Sequence, residues 1–195
     1  MARTLHKGCS MLVTRRKDRK HASGFTLVEL AVVVTIVGVL SVIAVVGYRR
    51  LILSSKLTEA ENMVSAIRIA QEQYKAERGI YANVGPNLCP AAGGVGKKAQ
   101  WDTQCPGGGG VPSIPNWSVL PVHSDGPVEL QYSTIAGPPG AVPQGLGNFV
   151  NVSAADTSKP WYTVTAEADL SAGGLKTAVW TSSFGNQVFS QNVGE

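Results

Sequence analysis

The side chains best suited to catalysis or metal binding are three histidines, three cysteines and thirteen carboxylates. Their placement excludes most of what they could do. His6 and His21 lie in a basic N-terminal stretch, which leaves His123 as the one histidine in the body of the chain. No Ser/His/Asp or Cys/His set can be argued from the spacing, and no pair of carboxylates sits in a context that suggests a cleft. The stretch AAGGVGKK (91–98) approximates a phosphate-binding loop, but Ala91 replaces its first glycine and Lys98 the Ser/Thr that would hold magnesium, with no strand before it. No enzyme, cofactor or metal site is expected. Glu29 and the pair Cys89 and Cys105 remain to be explained.

Glu29 is the only charge in FTLVELAVVVTIVGVLSVIAVV, the twenty-two residues from Phe25 to Val46. At ~1.5 Å rise per residue this run spans roughly 33 Å as a helix, enough to cross a hydrocarbon core of ~30 Å. An ionised residue inside such a segment costs ~2.5–3.5 kcal/mol on insertion scales and is functional by default. A glutamate near a helix end can also simply reach the headgroups. Its position, four residues after Phe25, suggests more. A cut after Gly24 would give Phe25 a free α-amine one helical turn from the carboxylate. Within one chain the carboxylate suits a helix N-terminus. Between chains it could neutralise a neighbour's amine in a helical bundle, where either charge alone would be penalised.

The elements around this run place it. Residues 1–24 hold Arg3, Lys7, Arg15, Arg16, Lys17, Arg19 and Lys20 against Asp18, a net +6, whereas residues 25–195 carry a net −2. A basic head before an apolar span keeps the N-terminus cytoplasmic and sends the rest across the membrane. No basic face is left to grip a phosphate backbone, so a nucleic-acid partner is not expected. An ordinary secretory signal would have a shorter apolar region followed by its small-residue site; here Gly24 precedes the run. Cys9 has no apolar stretch before it and makes a poor lipid-attachment site.

GFTLVEL followed by Val, Ile and Ala resembles the class III signal of type IV prepilins and pseudopilins. Gly24 stands before the cut, Phe25 is the first mature residue, Glu29 the fifth and Gly38 the fourteenth. The resemblance implies cleavage between Gly24 and Phe25 by a prepilin peptidase and N-methylation of Phe25. It also implies assembly through an inner-membrane platform, with Glu29 registering each incoming subunit. One position departs from the pattern: Val46, followed by Gly47, stands where the family often has a proline. A proline would bend or break the helix, whereas Gly47 lowers helix propensity by only about 1 kcal/mol.

After Gly47 the pattern turns amphipathic. Leu53, Leu57, Ala60, Val64 and Ile67 form a helical stripe widened by Met63, Ala70 and Tyr74; Glu72 and Ala76 flank the exposed face, and Gly79 supplies a stop. One helix from Phe25 to Arg78 is too long for a domain of this size to bury, so its front half needs lipid or other copies of itself. Residues 80–127 are Gly/Pro-rich and read as a loop. Cys89 and Cys105, sixteen positions apart, suit a disulfide in an oxidising compartment. Two free thiols or a metal site are the competing readings, the latter short of ligands.

Strand signals follow: VELQYS (128–133), PWYTVTAEADL (160–170), KTAVWTS (176–182) and NQVFS (186–190). Trp161 and Trp180 are expected to pack the sheet on the helix, and Trp101 and Trp117 to cover the loop or face a neighbour. The expected fold is α+β, type IV pilin-like: a long N-terminal helix packed on a small antiparallel sheet. Its segments are a basic leader (1–24), a membrane or filament-core half-helix (25–47), an amphipathic half-helix (48–79), a loop (80–127) and the sheet (128–195). The tail also resembles the final hairpins of some small pilins, but its turn ADLSAGG offers only Asp169, and calcium needs six or more oxygen ligands. Asn116-Trp-Ser and Asn151-Val-Ser match the glycosylation triplet and read as ordinary polar residues.

The expected function is a structural subunit of a type IV pilus, in a homo-oligomeric or mixed pilin filament, held in the inner membrane as a single-pass precursor and then extracellular. A pseudopilin of a type II secretion system, with a periplasmic pseudopilus, shares the N-terminal motif and is the alternative. A plain signal-anchored binding protein would leave Gly24-Phe25 and Glu29 as coincidences.

Overall fold

A computed structural model describes residues 24–90, 97–105, 115–141, 157–170 and 174–193. The basic head before Gly24, most of the phosphate-loop-like stretch, Asn151 and most of the SAGG turn lie outside them. The chain divides into two units, Met1–Ile43 and Ala44–Glu195. One helix, α1 (Leu27–Arg78), runs through both, and five strands follow: β1 (Gly85–Cys89), β2 (Gln131–Gly137), β3 (Trp161–Ala168), β4 (Thr177–Ser182) and β5 (Gly185–Gln191). The arrangement is α+β and type IV pilin-like.

In the first unit every described side chain is exposed, including Val32, Ile36, Val39 and Ile43. Its helix is apolar on all faces, and the polar groups it does carry turn back on their own backbone. Thr35 Oγ1 donates to the Ala31 carbonyl at 2.8 Å and Ser41 Oγ to that of Val37 at 2.7 Å. In hydrocarbon, where no water can satisfy a hydroxyl, this local bonding is what makes Thr and Ser tolerable. The helix continues without interruption through Val46 and Gly47.

The second unit has a core of its own. Ala60, Met63, Val64, Ile67 and Ala70 are buried along one face of α1, with Leu53, Leu57 and Tyr74 at its margin. That is the stripe the sequence predicts. The same periodicity carries on to position 71, where Gln71 is fully buried. Its amide Nε2 donates to the Ala82 carbonyl at 2.8 Å and to Thr134 Oγ1 at 2.9 Å, and its Oε1 accepts from the Ala82 amide at 2.9 Å. A buried polar group is stable only when so satisfied. Gln71 thereby ties the helix both to the chain leaving it and to β2. Gly79, at φ 76°, ends the helix in the left-handed conformation that glycine adopts without strain.

The sheet is an antiparallel meander in the order β1-β2-β3-β4-β5. β1 lies inside the stretch read as loop, and its proline and glycine hid the signal; it is carried by pairing with β2 rather than by its own pattern. Cys89, the last residue of β1, and Cys105 form the disulfide, with Cα atoms 6.1 Å apart. A loop of this size gains ~3 kcal/mol on a chain-entropy model. Ala99 and Val128 exchange both backbone hydrogen bonds at 2.8 Å in an isolated antiparallel bridge just before β2.

Two expectations about tryptophan are corrected. Trp101 and Trp117 are core residues, packed edge-to-face at 5.1 Å, with Trp101 also against Tyr132 at 5.8 Å. Trp161 and Trp180 face away from the helix, because alternation along β3 gives the core side to Tyr162, Val164 and Ala166. Trp161 lies over Gly137, where a Cβ would meet its ring at 2.5 Å, and Trp180 stacks on Phe189 across the β4–β5 pair.

A largely buried ion pair links the helix to the segment before β2: Lys56 Nζ to Glu129 Oε1 at 2.6 Å, with the Glu129 side chain 3 % exposed. Losing one partner of such a buried pair costs ~3–5 kcal/mol.

Burial pushes the Tyr132 phenol well above its ordinary range, the Glu59 carboxylate adding to the effect, and burial does the same to Tyr162. A raised folded-state value means the stabilisation is intact below the unfolded value of ~10 and is lost as pH climbs above it. In a spectrophotometric titration, two of the five tyrosines should ionise only together with unfolding. The Tyr132 hydroxyl has no hydrogen-bond partner among the described residues. Tyr132→Phe should therefore leave the neutral denaturation midpoint nearly unchanged while blunting the alkaline loss; an undiminished alkaline loss in that variant would contradict the assignment.

Candidate assembly site at the helix N-terminus

The Gly24–Phe25 bond lies in exposed, non-helical chain just ahead of α1. Nothing lies within 4 Å of where a Cβ on Gly24 would sit, so the fold of this chain does not itself require glycine there. Phe25 is 90 % exposed.

Thr26 and Glu29 form a reciprocal pair at the start of the helix. Glu29 Oε2 accepts from the Thr26 amide and from Thr26 Oγ1, both at 3.1 Å, and Thr26 Oγ1 accepts from the Glu29 amide at 3.1 Å. The first helical bond, Leu30 amide to Thr26 carbonyl, follows at 3.2 Å. This is a capping box: Thr-x-x-Glu satisfies two amide donors that a helix otherwise leaves orphaned. The negative charge also complements the positive end of the helix dipole. The four residues Thr26-Leu27-Val28-Glu29 spell the capping-box pattern in the sequence, and that signal was available alongside the membrane argument.

The box occupies one carboxylate oxygen. Oε1 of Glu29 makes no hydrogen bond among the described residues, and the whole side chain is exposed. Within one chain the group is therefore a helix cap with half its accepting capacity left over. Both partners of the box lie after Gly24–Phe25, so a cut there would leave it intact.

Cys89 and Cys105 are brought together elsewhere, in the second unit, and staple the segment beyond β1. His123 lies exposed, with Nε2 3.7 Å from Asp125 Oδ1. Among the described residues no group of three His, Cys, Asp or Glu could hold a metal ion.

The fold and this N-terminus define a pilin-like chain: one helix long and apolar enough to span a membrane, on an antiparallel sheet. Residues 19–45 match the family described as the prokaryotic N-terminal methylation motif, the signal carried by type IV prepilins. The chain is 34% identical over 58 residues to the fimbrial protein EcpC of Eikenella corrodens, covering 30% of this chain and 38% of that one. It is 36% identical over 73 residues to the type IV major pilin protein PilA of Myxococcus xanthus, covering 37% and 32%. It is 37% identical over 76 residues to a probable minor fimbrial protein of Dichelobacter nodosus, covering 38% and 48%. The matches thus span about a third to a half of the length of these relatives. No solved structure matches the chain significantly.

Thr26→Ala should remove the cap while keeping the charge of Glu29, at a cost of ~1 kcal/mol. Amide hydrogen exchange over 27–30 in detergent micelles should then quicken about fivefold. Glu29→Gln should leave it nearly unchanged, because glutamine also closes the box. Equal exchange in Thr26→Ala and the parent would show that the box does not hold the helix end.

Proposed function

We propose that this chain is a structural subunit of a type IV pilus filament and not an enzyme. The precursor sits in the inner membrane as a single-pass protein with its head in the cytoplasm. A prepilin peptidase cuts between Gly24 and Phe25, and the new amine on Phe25 is methylated. The inner-membrane platform then moves the helix from lipid into a bundle of like helices, where apolar contact replaces apolar contact. The exported part ends outside the cell.

The observation that carries this reading is the combination at Glu29. The carboxylate closes the capping box through one oxygen and leaves the other without a partner among the described residues, in a helix with no other charge before Arg49. In the bundle that second oxygen takes the amine of a neighbouring copy's Phe25. Neither charge is then left unpaired in an apolar environment, the condition under which a buried charge is tolerated. The fimbrial relatives are in keeping with a pilin; a pseudopilin would keep the same pairing and end in the periplasm.

Glu29→Gln and Thr26→Ala separate the two roles. Glu29→Gln preserves the cap and removes the charge, and should still be processed at Gly24 while filament yield falls at least tenfold. Thr26→Ala should assemble at close to the parent yield. Normal filament yield from Glu29→Gln, measured on material sheared from cells, would overturn the pairing.

A further inference from the structure

The basic side chains of α1 divide sharply by position. Lys56 is paired with Glu129, Arg68 donates to the Asn186 carbonyl and to its Oδ1, Lys75 donates to the Tyr81 hydroxyl, and Arg78 lies over the Tyr74 ring at 5.7 Å. Arg49 and Arg50 make no such contact among the described residues, and both are exposed. No acidic residue occurs between Glu29 and Glu59, so neither arginine has an i±3 or i±4 carboxylate on its own helix. None of the described carboxylates pairs with these two adjacent guanidiniums, which are left open to an anion from outside the chain.

Their position says which one. They follow directly on the apolar run that ends at Val46, with the exposed Tyr48 beside them. Tyr is favoured at the level of the headgroups, and Arg stems lie along apolar surface while the guanidinium reaches the phosphates. The apolar pattern itself does not stop there: Leu51, Ile52 and Leu53 continue it, and Leu51 is 65 % exposed. Hydropathy alone would let the span slide on to Leu53. We infer that Tyr48, Arg49 and Arg50 form a headgroup anchor at the outer face of the membrane, in which the two guanidiniums bind phospholipid phosphates and fix where the span ends. The inference rests on the membrane-spanning part of the proposed function and is independent of filament assembly.

The test uses the full chain with Cys9→Ser, reconstituted in vesicles of phosphatidylcholine with a minority of phosphatidylglycerol. A nitroxide is placed through Leu51→Cys or, as a control, Ile43→Cys, and its depth is read from collisions with oxygen and a water-soluble nickel chelate. The label at 43 should lie among the acyl chains in every form. The label at 51 should lie at headgroup level in the parent and move inward by about one helical turn, ~5 Å, in Arg49→Gln/Arg50→Gln. Arg49→Lys/Arg50→Lys should restore the parent depth. Unchanged depth of the label at 51 in the glutamine variant, with 43 still in hydrocarbon, would overturn the anchor alone. A shift seen only at high protein-to-lipid ratio would assign the arginines to carboxylates of another copy and also overturn it. A label at 43 found in water would sink the spanning reading and the anchor together.

Discussion

A helix that is apolar on every face cannot be buried by its own short chain, and the rest of this molecule follows from that constraint. Fifteen large apolar side chains between Phe25 and Val46 are more than half exposed. At ~1–2 kcal/mol apiece their exposure to water amounts to on the order of 20 kcal/mol, more than the ~5–15 kcal/mol by which an entire domain is stable. Such a segment calls for cover from outside its own chain, which lipid or a bundle of its own kind would give. Thr35 and Ser41 are bonded to their own helix and Glu29 to Thr26 through one oxygen, so of these three side chains only the second oxygen of Glu29 is left for a partner.

The second unit answers a different demand. It folds around one face of the same helix, and it does so with a conventional stripe plus two polar fastenings, Gln71 nearer the helix end and Lys56–Glu129 nearer its middle. Gln71 and Glu129 are buried and each has its partner, so these fastenings contribute specificity of docking as well as stability. The disulfide adds restraint where the chain between β1 and β2 is rich in glycine and proline and has little pattern to order it.

How much of this was legible follows the strength of each periodic signal. The helix, its stripe and its glycine stop were readable because a 3.6-residue repeat over thirty positions leaves little ambiguity. Strands β3, β4 and β5 were readable by alternation, and the Cys89–Cys105 pair by separation and compartment. β1 was not, since GPNLC has neither alternation nor β-propensity and exists through its partner. Trp161 and Trp180 were placed on the wrong face because β3 is apolar or neutral on both sides: Thr163 and Thr165 are as buried as Val164. With no polar face to mark the outside, composition could not choose. At the candidate site, Gly24, Phe25 and Glu29 stood out by type and spacing. The capping role of Glu29 was written in the same four residues and was eclipsed by its oddity as a charge in an apolar run.

The central claim is that a chain processed to begin at Phe25 leaves the membrane to build a filament. Intact mass and N-terminal sequencing on sheared surface material and on washed membranes test it most directly. The account predicts an N-methylated Phe25 as the first residue, abundant in the sheared fraction. A chain still carrying residues 1–24 in both fractions would contradict it.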